Sequence, residues 1–134
     1  MCRYFVLTLA CWSLYAQAAT AEPIRLICRV VIETTGELEQ RSIRIDPEVH
    51  VVQDNAMTFT DGATSPLAAN IEEFVTIEGR RATWGNRTKI DRRMVGTFTV
   101  DLLTGGYTFV TRSMGQFSRG TCHSLRAANC TSCR

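Results

Sequence analysis

The run from Gly79 to Arg93 (GRRATWGNRTKIDRR) gathers Arg80, Arg81, Arg87, Lys89, Arg92 and Arg93 around Trp84, with Asp91 as its one acid. Basic side chains beside an exposed aromatic suit an anionic partner: a polyanion, an anionic glycan or a phosphate group. The competing expectation is a solvated hairpin whose arginines pair with acids on neighbouring strands. These seven residues are the candidate binding set.

Catalytic chemistry has thinner support. His50 and His123 are the only histidines, and His50 sits among valines, close to Asp46 and Glu48. A small hydrolase would use His50 as general base, yet no nucleophile is paired with it. The chain has no serine elbow, no phosphate-cradling glycine loop and no metalloprotease motif. Neither a cofactor nor a resident metal is expected, and the sequence reads as a binding protein before it reads as an enzyme.

Of the 6 cysteines, Cys2 and Cys11 fall in an apolar leader, which leaves Cys28, Cys122, Cys130 and Cys133. Export permits disulfides. Cys28 lies on the apolar face of the first strand and Cys122 on the last strand, so topology pairs them. Cys130 then pairs with Cys133 or both stay free. Bridging first to last strand encloses about 95 residues, worth roughly 3–5 kcal/mol by the chain-entropy argument. Cys130-Thr131-Ser132-Cys133 has redox-motif spacing but no helix N-terminus to lower a thiol pKa. A zinc site from Cys122, His123, Cys130 and Cys133 is opposed by strand geometry, which points adjacent residues to opposite faces.

The elements that must position these residues are strands. Thr97 to Leu103 alternates, with Phe98, Val100 and Leu102 on one face. Thr104-Gly105-Gly106 suits a tight turn, and Tyr107 to Arg112 returns rich in aromatic and β-branched residues. Ile24 to Glu33 places Ile24, Leu26, Cys28, Val30 and Ile32 on one face. Further strands are expected at Gln40 to Asp46, Val49 to Val52, Ala56 to Thr60, Val75 to Glu78, Ala82 to Trp84, Lys89 to Arg92 and Phe117 to His123. Ala63 to Asn70 reads as a surface loop, Ile71 to Phe74 as a helical turn capped by Asn70, and Gly85-Asn86 as a hairpin turn. The sum is an all-β fold, a small antiparallel barrel or sandwich of about eight strands closed by a disulfide.

Met1 to Ala21 has the plan of a secretory signal peptide: Arg3, an apolar stretch, then small residues at Ala19 and Ala21. The apolar stretch is shorter than the ~20 residues a spanning helix needs, so no membrane span is expected. Residues 22–126 then form one domain, and 127–134 a cysteine-bearing tail. With 15 basic against 13 acidic residues, charge is nearly balanced. That argues against a general nucleic-acid or membrane-surface binder.

Leu26-Ile27-Cys28, Ile90-Asp91-Arg92 with Gly96, Asp101 with Thr104-Gly105, and Gly120-Thr121-Cys122 together resemble a loose set of small periplasmic β proteins of proteobacteria. The resemblance implies fold and compartment and assigns no catalytic residue. The size and terminal cysteines are also similar to the barrels of C-type lysozyme inhibitors, although their Ser-Gly-x-x-Tyr inhibitory loop is absent here. The expected function is therefore that of an exported, non-enzymatic binding protein, periplasmic or secreted, contacting a protein or a small or anionic ligand. Inhibition of a cell-wall hydrolase such as lysozyme is the second reading, and the His50 hydrolase the third.

Overall fold

A computed structural model describes residues 22–113 and 115–125. Those residues form nine strands and no α-helix: β1 Ile24–Ile32, β2 Leu38–Asp46, β3 Val51–Asp54, β4 Met57–Thr60, β5 Ile71–Glu78, β6 Arg81–Thr88, β7 Met94–Asp101, β8 Gly106–Thr111 and β9 Gly115–Ser124. All pair antiparallel in the order β4-β3-β2-β1-β9-β8-β7-β6-β5. The all-β barrel and its Cys28–Cys122 disulfide are present, with nine strands where about eight were expected. The leader and the tail with Cys130 and Cys133 lie outside the described residues.

The alternation in the sequence sets the inner face. Leu26, Cys28 and Val30 of β1 are buried, as are Phe98 and Val100 of β7. Directly opposed residues share a face, so Val75, Trp84, Phe98 and Phe109 make one inward row across β5 to β8.

First and last strands do pair, with Cys28 opposite Cys122 and the disulfide formed. Their Cα atoms are 3.9 Å apart, below the ~4.4–6.8 Å window usual for disulfides. Gly120 faces Val30 in the same ladder, and a Cβ there would collide with the carbonyl of Arg29. Gly120, two residues before Cys122, thus lets β1 and β9 run this close beside the bridge.

The seam of the barrel lies elsewhere than the β1–β9 junction. It falls between β4 and β5, which are the two ends of the strand order. The loop after β4 runs back along β5, with Gly62 N–H donating to Glu73 O and Glu73 N–H to Ala63 O. Two carboxylates finish the closure: Glu73 Oε2 accepts from Thr60 N at 2.9 Å, and Asp61 Oδ1 from Val75 N at 3.0 Å. Side chains thereby occupy the backbone groups that an open edge strand would expose.

Three local expectations need correction. Residues 71–74 begin β5 rather than a helical turn, because Glu72 faces and pairs Arg87 across the ladder while Glu73 closes the seam. Gly85-Asn86 lies inside β6. Gly85 takes φ +151 and packs its backbone against Gly96, where a Cβ would clash. Residues 89–92 form the β6–β7 turn instead of a strand. The Thr88 hydroxyl bonds Asp91, Arg93 N–H donates to Thr88 Oγ1, and Arg92 adopts φ 53. Such local side-chain bonds compete with a ladder.

Candidate functional site

The core does not fill the barrel. At one end a cavity of about 340 Å³ opens to solvent. Val95, Phe98, Phe109 and Phe117 of β7 to β9 form one wall. Ile32, Met57, Phe59 and Leu67 of the seam loop complete its apolar lining. Met57 and Leu67 are exposed apolar residues on the rim.

Phe98 is the hub of this wall. Its ring stacks on Phe109 at 4.2 Å and on Trp84 at 5.7 Å, and it meets the tilted ring of Phe59 at 5.7 Å. Arg41 lies over the same ring at 5.6 Å, a cation–π contact.

The polar groups of the cavity are few and placed from different strands. Arg41, from β2, donates Nε–H to Asp54 Oδ1 at 2.8 Å and Nη1–H to Glu39 at 3.1 Å. Asp54 is wholly buried, and Trp84 Nε1–H reaches its other oxygen at 3.4 Å. Burial pushes the Asp54 carboxyl above its ordinary value, against the opposing pull of the Arg41 bond. Burial lowers Arg41's proton affinity, but Asp54 and Glu39 outweigh it and hold the guanidinium protonated. Below, burial raises the Tyr107 phenol well above its usual value, despite its hydrogen bond with Ser118. Ser118 and Asn86 reach the cavity surface. Asn86 Oδ1 is buried with no hydrogen-bond partner.

With one arginine set against two carboxylates, this group carries a net negative charge. The cavity thus joins a mainly apolar lining to a polar group of net negative charge. A concave, mainly apolar site with few fixed polar groups is the usual form of a small-molecule site.

The basic run is divided by the fold. Arg80 and Arg81 lie at the β5–β6 turn, while Arg87, Lys89, Arg92 and Arg93 lie at the far end of β6 and in its following turn. Arg80 pairs with Asp101 at 3.3 Å, Arg87 with Glu72 at 2.8 Å and Arg93 with Asp91 at 2.9 Å. Lys89 Nζ donates to Thr64 Oγ1. The aromatic expected on the surface is in the core: Trp84 is fully buried. Trp84 lies on the inward face of β6, two residues from buried Ala82, so the expectation of an exposed aromatic is overturned.

His50 occupies the β2–β3 turn with φ 53, its Nδ1 3.5 Å from the Val75 carbonyl, and it does not line the cavity. Cys122 is committed to Cys28 and offers no thiolate to a metal. The described residues hold no cluster of three or more His, Cys, Asp or Glu able to bind a metal ion. Sequence reasoning missed Arg41, Asp54, Asn86 and the phenylalanine wall. A buried-strand arginine and aspartate, each spaced two residues from apolar inward positions, were the only signal. Compared with known protein families, with curated proteins and with solved structures, the chain matches none.

Proposed function

We propose that this protein is an exported, non-enzymatic binder of a small, mainly apolar molecule, held in the mouth of the barrel. The observation that carries the reading is the 340 Å³ cavity walled by phenylalanines above a neutralised arginine. The ligand has an aromatic or branched aliphatic body, which stacks against Phe109 and Phe117. Its polar end carries an N–H or O–H donor, because Glu39 and Asn86 line the cavity. A carboxylate-headed ligand is disfavoured, since Arg41 already has two carboxylate partners. Export is supported by the disulfide, which persists in an oxidising compartment.

The test is titration of the full chain with a neutral fluorescent naphthylamine, compared with the same dye carrying a sulfonate. The neutral probe should bind saturably, one per chain, and more tightly than the sulfonate. Tighter binding of the sulfonate would overturn the assignment of ligand charge. Failure of both to bind would remove the cavity as a site.

A further inference from the structure

A second cluster lies outside the barrel, on the wall made by β1, β2 and β3. The register sets Arg25 directly opposite Arg44, and Arg44 opposite Gln53, so the three side chains share the outer face. Together with Ser42 and Asn55 they line a depression of about 280 Å³ that contains no acidic residue. Asn55, at φ 52, is fixed by two bonds with Ser42: its N–H donates to the carbonyl, and its Oδ1 accepts from Ser42 N at 2.8 Å. With Oδ1 engaged, its amide NH₂ remains as a donor.

Two features of this cluster are anomalous for a merely solvated face. Like charges directly opposite one another across a ladder are destabilising. Neither Arg25 nor Arg44 has a carboxylate within 4.0 Å among the described residues to offset that repulsion. In addition, Arg44 Nε is buried without a hydrogen-bond partner. An unsatisfied buried donor on a charged group is costly.

We propose that this depression is a binding site for a phosphate-class oxyanion. A tetrahedral anion placed between the two guanidinium groups would accept from both in charge-assisted bonds. Its remaining oxygens would face the amides of Gln53 and Asn55. Donors supplied by three strands and a turn outnumber the two oxygens of a carboxylate and suit the four of a phosphate or sulfate. The site is separate from the barrel mouth and stands whether or not that cavity binds an apolar ligand.

The anion is either free or presented by a lipid headgroup, and the experiment distinguishes these. The full chain is titrated at low salt with inorganic phosphate by calorimetry, and separately mixed with vesicles containing phosphatidylglycerol. The variants are Arg44→Gln, Arg25→Gln and, as a control on an exposed strand end, Arg112→Gln. Saturable phosphate binding that falls about tenfold in either of the first two, as loss of a charged hydrogen-bond donor implies, and is unchanged in the third, supports a free anion. Vesicle capture alone, lost in Arg44→Gln, supports a headgroup. Thermal melts guard against misfolding: without anion, Arg44→Gln should melt no lower than the parent, because it removes a like-charge pair. Phosphate should raise the midpoint of the parent and leave that of Arg44→Gln unmoved. Equal binding by all variants, or none by the parent in either arm at millimolar anion, overturns the proposal.

Discussion

Arg41 and Asp54 form an ion pair inside the barrel, 2.8 Å apart, with the aspartate wholly excluded from solvent and the guanidinium at the floor of the cavity. The pair ties β2 to the end of β3 and, through Trp84, to β6 on the other side of the seam. Removing one partner leaves a buried charge unmatched. Arg41→Met should therefore cost about 3 kcal/mol in urea unfolding at neutral pH, since it strands the buried Asp54 carboxylate. The double change Arg41→Met with Asp54→Leu should cost less than either single change, because neither charge is then stranded.

The pH dependence of stability divides by carboxylate. Burial raises the folded-state pKa of Asp54, so its contribution is fully present below the ordinary aspartate value and is lost as pH rises through the folded value. Asp91 and Asp101 run the other way. The Thr88 hydroxyl bond lowers the first, and the Thr104 and Leu103 backbone bonds lower the second. Their contributions are present above the ordinary value and lost as pH falls through the lowered one. Melting midpoints between neutral and acid pH should therefore rise for the parent relative to Asp54→Asn. Asp101→Asn should flatten the acid limb.

The junction of β1 and β9 depends on a cystine and a glycine. The Cys28–Cys122 bridge spans a sequence separation of 94 residues. Cys28→Ser should lower stability by roughly 3–5 kcal/mol in the chain-entropy estimate. Gly120→Ala should also lower the midpoint clearly while leaving every thiol in place, since its Cβ meets the backbone of Arg29 and Val30. A Gly120→Ala protein as stable as the parent would show that the strands have room to separate.

The seam is expected to be the first part of the barrel to open. Glu73→Leu removes the acceptor for Thr60 N–H, so amide hydrogen exchange at Thr60 should accelerate. Exchange at Val30, in the centre of the sheet, should stay slow.

Much of the fold was legible because strand alternation is a period-two signal. Leu26, Cys28 and Val30 declared the inner face of β1, and the positions of Cys28 and Cys122 on the first and last strands made their pairing readable. The course of β5 was not legible, since Glu72 depends on Arg87 and Glu73 on Thr60, partners distant in sequence, and the turn at 89–92 was hidden by side-chain bonds of Thr88 and Asp91 that alternation does not reveal. The site was hidden for the same reason. Arg41, Asp54, Asn86 and Phe109 come from four strands and meet only after closure. The conspicuous basic run was instead divided between the two ends of β6, and its tryptophan serves the core.

The central claim is that the barrel mouth holds a small apolar ligand, and a charge placed in its wall tests this most directly. Val95 is a half-buried lining residue, so Val95→Glu alters the cavity while leaving the core intact. Binding of the neutral naphthylamine is measured by fluorescence for the parent and this variant, alongside their melting curves. The account predicts saturable one-to-one binding by the parent and a loss of about tenfold or more in Val95→Glu at similar stability. Undiminished binding by the variant, or none by the parent, would contradict it.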